Sequence, residues 1–216
     1  MIVGGLAALD FDRAFTVFHT IFFPGKDNWL FDPMTDPVIL ILPEAFFRSC
    51  AILILAAVFV VFKFILQIAW VPSGSMETTL PTKSVLVGLH LPYIVADPVP
   101  QRGDIVTFWS DELNKLLVKR VVGLPGDDIA FRDGYTYVNG EMLDEAYLPR
   151  QGITQSNASF QVPEGCVFFM GDNRTGSNDA RFWNEPYISV DHIRARVMVG
   201  ISVLPDNSWR GVRVIH

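Results

Sequence analysis

One run constrains this chain more than any other. Residues 49–62, "SCAILILAAVFVVF", carry no charge, with Phe46 and Phe47 before them and "FILQIAWV" following Lys63. A helix that spans a bilayer needs about 20 mostly apolar residues. Residues 46–64 meet that need if Arg48 and Lys63 extend their charged ends toward the headgroups. A helix buried in a soluble core would keep a polar stripe, and this run has none. It also begins too far from Met1 for a cleavable targeting peptide. The expected organisation is an N-terminal segment 1–45, a single transmembrane helix 46–64 and a domain 65–216.

The N-terminal segment mixes Phe and Trp with Pro, Gly and Asp, as in "FDRAFTVFHTIFFPGKDNWLFDP". Aromatic side chains beside polar turns suit a membrane interface. His19 stands alone there and reads as structural. Residues 1 to about 57 resemble an uncharacterised family of small bacterial integral membrane proteins, a likeness that implies no known activity.

From Ser84 onward the texture changes. "SVLVGLHL", "GDIVTFW", "LLVKRVVGL", "YTYVNG", "CVFFM" and "ARVMVGISVL" are β-branched or aromatic runs separated by Pro, Gly, Asp and Asn. Asn139-Gly140 is a strong hairpin signal. No long amphipathic helix interrupts these runs. The fold expected is mainly β: one N-terminal transmembrane helix, then an antiparallel, partly closed β-sheet domain. A net charge of −6 without a basic cluster argues against nucleic acid as a partner. Cys50 and Cys166 lack metal-ligand spacing and read as unpaired, the histidines form no zinc pattern, and nothing cradles a nucleotide phosphate. No metal or cofactor is expected.

Three stretches can carry chemistry. In "LLVKRVVGLPGDD" neighbouring strand residues point to opposite faces, so Lys119 and Arg120 cannot both face solvent. A lysine set among apolar side chains is pushed toward its neutral form and can accept a proton near neutral pH. In "VPSGSMETTL", Ser75 beside Gly74 is presented with little steric cover. A serine nucleophile needs a base, and no histidine lies in a suitable motif beside an acid. A Ser–Lys pair needs only two side chains brought together. In "MGDNRTGSNDAR" an Asp–Arg clamp accounts for most of the polar residues, and Ser177 is the one it does not require.

Together these stretches resemble the bacterial type I signal peptidases, membrane-anchored Ser–Lys endopeptidases. "PSGSM", "RGDIVTF", "KRVVGLPGD" and "GDNRTGSNDAR" look like that family's motifs, in order, just after a single helix. The resemblance covers residues 62–204 and implies Ser75 as nucleophile and Lys119 as general base. It implies Ser73 as an oxyanion-hole hydroxyl, Ser177 as the hydroxyl that orients the lysine amine, and Met76 as a residue lining the substrate pocket. Arg120, Asp179 and Arg181 match a structural salt-bridge cluster. Thr78 stands where the family usually has proline, and Ala180 where it often has serine.

The implied substrates are secretory preproteins with small residues before the cleavage site. The implied setting is a bacterial cytoplasmic membrane, single-pass, with the catalytic domain outside and the export translocon close by. The charges flanking the helix leave orientation open, so that placement comes from the resemblance. Two rivals share some of these features. A Ser–Lys self-cleaving regulator should carry a DNA-binding segment, where this chain has an acidic, membrane-like one. An inactive β scaffold that binds precursors would not need Ser75, Lys119 and Ser177 together.

Overall fold

The computed structural model describes residues 17, 20, 44–77, 79–90, 100–202 and 210–215. Most of the N-terminal segment, His19 included, lies outside these residues, and so does Thr78.

Helix α1, Glu44–Val60, continues into a π-helical turn at Val61–Ile65. The stretch Arg48–Ile65 is long and apolar enough to cross a membrane; at 1.5 Å per residue it is ~27 Å long, close to a hydrocarbon core. Its large side chains stand open around the helix, with Leu53 68% and Phe59 64% exposed. A helix apolar on every side finds a suitable solvent only in lipid or in a large core. The chain divides into two compact units at Val61 and Phe62.

The second unit is mainly β. Its strands are β1 Leu66–Trp70, β2 Val85–Leu89, β3 Ile105–Ser110, β4 Lys115–Gly123, β5 Asp128–Arg132, β6 Tyr135–Val138, β7 Glu141–Met142, β8 Ser159–Gln161, β9 Cys166–Met170, β10 Tyr187–Ser189, β11 Ile193–Ser202 and β12 Gly211–Val214. All pairings are antiparallel. The larger sheet runs β1-β2-β11-β3-β4-β9-β10, with β12 also paired to β11, and the smaller runs β7-β6-β5-β8. The mainly β, antiparallel fold is as expected, and among the described residues neither sheet closes on itself.

β1 is an addition to that expectation. "LQIAW" continues the apolar run and reads as its tail, yet it pairs with β2 from Leu66↔Leu89 to Trp70↔Val85. The Asn139-Gly140 hairpin forms as expected, joining β6 to β7 with Val138 opposite Glu141. Both turn residues have positive φ, 53° and 84°, the conformation for which Asn and Gly are favoured.

The main core lies between the sheets. Phe108 of β3 stacks on Phe169 of β9 with centroids 4.1 Å apart, while Ile129 and Phe131 of β5 join the same cluster. Gly123 permits this approach, since a Cβ there would overlap Ile129, Val162 and Phe168. A smaller cluster of Val71, Met76, Leu80, Leu86, Ile105 and Val197 lies beneath the Ser75 turn.

Candidate active site

Ser75 sits in a 3₁₀ turn, Gly74–Met76, that packs against β4. Apolar residues anchor the turn from below. Met76 is fully buried, and its carbonyl accepts the Leu80 N–H at 2.8 Å. On the far side, Glu77 accepts from the Thr82 N–H and hydroxyl at 2.8 and 2.9 Å. Ser73 precedes the turn in extended conformation, and its hydroxyl does not cap it. A small cleft of about 140 Å³ opens here, lined by Trp70, Ser73, Ser75, Leu86, Thr107 and Val118 among others. Met76 faces the core beneath and is not part of this lining.

Lys119 and Arg120 are both buried, at 2% and 3% exposure. Strand alternation put them on opposite faces; here both faces of β4 are covered, and residues Arg120 to Gly123 are buried in succession. The two cations meet different fates. Arg120 clamps Asp172 through two bonds of 2.8 and 2.7 Å, donates to the Gly103 carbonyl at 2.6 Å and stacks on Tyr147. Burial lowers the Lys119 ammonium to about 8, with Asp179 and Asp172 opposing the shift and Lys115 and Arg181 adding to it. Both carboxylates near Lys119 are already engaged by arginines, so neither stabilises its charge fully.

The loop after β9 completes the site. Asp179 accepts from Arg181 at 2.8 and 2.9 Å and from the Gly171 N–H at 2.9 Å. The expected salt-bridge cluster is thus two separate pairs, Arg181 with Asp179 and Arg120 with Asp172. Gly171 is squeezed between the two serine-bearing segments, since a Cβ there would overlap both Ser177 Oγ and the Ser75 carbonyl oxygen. The Ser177 hydroxyl and the Ser75 backbone carbonyl are therefore both close neighbours of Gly171. Ser177 Oγ is buried without a hydrogen-bond partner among the described residues, a costly condition that a buried hydroxyl rarely keeps unless it serves a purpose.

Sequence reasoning missed four residues here. Asp172 receives the Thr79 hydroxyl at 2.5 Å besides Arg120, and Asn173 holds the carbonyls of Gly74 and Ser75. Arg174 donates to Glu145 at 3.0 and 2.5 Å and to Thr136, Thr154 and Tyr147. Burial opposes the charge of Arg174, but the Glu145 hydrogen bonds and carboxylate outweigh it and hold the guanidinium above its ordinary value. Arg174 thereby locks the smaller sheet to this loop. The available signal was the density of Asp, Asn and Arg in "GDNR", which a polar turn explains equally well.

Residues 45–201 match the family described as "Signal peptidase, peptidase S26". That span takes in α1, the Ser75 turn, β4 and the loop after β9, and the chain belongs to this family. Residues 1–47 match a second family, described as "Lipoprotein intramolecular transacylase Lit". The separate N-terminal family seen in the sequence thus has a named activity, and its match ends at residue 47.

Similar curated proteins include a signal peptidase I of Pseudomonas aeruginosa, 31% identical, with 64% of this chain and 62% of that protein covered. A probable signal peptidase I-2 of Synechocystis is 35% identical, with 56% of each covered. A signal peptidase I of Bacillus caldolyticus is 34% identical, with 59% of this chain and 74% of that protein covered. The chain thus spans less than two thirds of the first two relatives. Among solved structures, a signal peptidase I from Enterococcus faecalis aligns with a TM-score of 0.41 at 29% identity, covering 46% of this chain and 97% of that one.

Proposed function

We propose that this protein is a serine endopeptidase that removes N-terminal signal peptides from secreted precursors, with Ser75 as nucleophile and Lys119 as general base. The observation that carries this proposal is the state of Lys119. It is an amine buried in the sheet and lowered to about 8, while the acids around it are committed to arginines. Such a lysine is a base near neutral pH. Membership of the peptidase S26 family supports the same conclusion.

In this mechanism Ser75 Oγ bonds to the scissile carbonyl carbon as its proton passes to Lys119 Nζ. The negative charge that develops on the carbonyl oxygen is met by the Ser75 N–H and the Ser73 hydroxyl. The C–N bond breaks, and the Lys119 ammonium gives its proton to the departing amine. Water then attacks the ester while Lys119 takes its proton; the C–Oγ bond breaks and Ser75 recovers a proton from Lys119. The Ser177 hydroxyl, which has no hydrogen-bond partner among the described residues, is free to turn to the lysine amine during the reaction and orient it. Met76 supports the substrate pocket from below. The narrow cleft suits small side chains, and the extended precursor pairs with a strand edge.

A membrane-embedded substrate accounts for α1. The β unit lies on the outer face of the cytoplasmic membrane, close to where translocated precursors emerge, and the N-terminal end of α1 lies inside. Residues 1–45, 46–64 and 65–216 act as a membrane-proximal segment, an anchor and the catalytic domain.

The test is incubation of the detergent-solubilised full-length protein with a secretory precursor. Ser75→Ala, Lys119→Ala and Lys119→Arg should each abolish cleavage, the last because guanidinium does not release its proton near neutral pH. Cleavage by Lys119→Arg near the wild-type rate would remove the general-base role.

A further inference from the structure

Both carbonyls that flank the Ser75 nitrogen and follow it are held by one residue. The Asn173 N–H donates to the Ser75 carbonyl at 3.1 Å, and Asn173 Nδ2 donates to the Gly74 carbonyl at 2.9 Å. The second bond matters for chemistry. The Gly74 carbonyl and the Ser75 N–H belong to one planar peptide unit and point in opposite directions. Fixing the oxygen therefore fixes the direction of the N–H.

The Asn173 amide is itself held in orientation. Its Oδ1 accepts from the Gly176 N–H at 3.0 Å and from the Thr175 hydroxyl at 3.4 Å, which leaves Nδ2, the donor end, for Gly74. Gly176 leaves just enough room, since a Cβ there would come within 2.7 Å of Asn173 Nδ2. The Gly74 carbonyl also accepts the Glu77 N–H at 3.1 Å. That bond lies within the turn and moves with it. The Asn173 bond comes from a loop 99 residues away, the loop that also carries Asp172 and Ser177.

We propose that Asn173 is a positioning residue that aims the Ser75 N–H at the substrate oxyanion by pinning the Gly74–Ser75 peptide plane. This rests on the Ser75 chemistry proposed above. Negative charge on that oxygen exists only during the reaction, so misaiming the N–H costs turnover and leaves substrate binding largely intact.

Two uncharged variants test it in the full-length protein with a secretory precursor. Asn173→Ala removes the amide and keeps the backbone N–H. Gly176→Ala displaces the amide without changing it. Each should lower kcat roughly 10- to 100-fold, somewhat less than loss of a whole oxyanion donor because the Glu77 bond remains. KM should stay within about twofold. The pH midpoint of kcat/KM should not move, because the charges around Lys119 are untouched; general loosening of the loop would shift it. If Asn173→Ala does not fold, the milder Gly176→Ala decides alone. Ser75→Ala runs alongside. If Ser75→Ala cleaves the precursor, the Ser75 mechanism itself falls. If Ser75→Ala is inactive while the Asn173 and Gly176 variants keep wild-type kcat, or lose activity through KM or a shifted midpoint, the positioning role is overturned.

Discussion

Replacing Lys119 with methionine should make the protein more stable while destroying its activity. Burial lowers the amine from 10.5 to about 8. At 1.36 kcal/mol per unit, that shift corresponds to about 3 kcal/mol of folding free energy lost at neutral pH. The sign follows from proton counting. Below about pH 8 the amine is charged in both states, and the folded protein bears the full cost of a buried ammonium. Between about 8 and 10.5 the unfolded chain binds a proton that the folded protein does not, so stability rises with pH. Above the unfolded value the cost is gone.

Methionine keeps the volume without the charge. Its introduction strands no carboxylate, because Asp172 and Asp179 retain Arg120 and Arg181. Lys119→Met should therefore gain up to about 3 kcal/mol at neutral pH, a rise in Tm of about 6–12 °C for a protein of this size. Thermal and denaturant unfolding of the full-length protein in detergent, followed by fluorescence of the buried Trp183, would measure it. The gain should vanish by about pH 10.5. A variant no more stable than wild type at neutral pH, or a gain that persists unchanged into alkali, would refute the reasoning.

The other predictions concern the same loops. If Lys119 acts as a neutral amine, kcat/KM should rise with pH through about 8; a flat profile with chemistry rate-limiting would remove the titrating base. Ser177→Ala deletes a hydroxyl that has no partner among the described residues, so unfolding should show no loss of stability while precursor cleavage slows; equal activity would leave Ser177 without a role. Glu145→Gln leaves the Arg174 guanidinium buried without its counter-charge and should cost about 3–5 kcal/mol, whereas Arg174→Met combined with Glu145→Gln should recover much of it. Calorimetry on the single and double variants checks this.

What the sequence disclosed depended on whether a pattern had a period. β4 and β9 were legible because "LLVKRVV" and "CVFFM" are dense in β-branched or aromatic residues, and the Asn-Gly hairpin because its backbone conformation admits few other residues. β1 was not, because a five-residue strand with four apolar residues, following an apolar helix, carries no boundary of its own. Burial of both Lys119 and Arg120 was illegible for a related reason: alternation says which residues share a face, not how many faces are covered. Within the candidate site, Ser75, Lys119 and Ser177 stood out because their types suggest chemistry. Asp172, Asn173 and Glu145 did not, since a polar residue in a turn looks the same whether it meets water or a partner 93 residues away, as Asp172 meets Thr79.

That separation along the chain has a consequence for how the protein comes into being. Synthesis delivers the Ser75 turn first and the strand of Lys119 next, but the loop that ties down Gly74, Thr79 and Arg120 emerges only after β9. Until then the Ser75 turn has its own internal hydrogen bonds but not the anchors from Asp172 and Asn173, and β4 lacks its β9 partner. Contacts so distant in sequence also form slowly, because a long loop must close before they can be made. If Ser75 and Lys119 act as proposed, a growing chain would thus be inert until one late step, when Asp172 and Asn173 dock.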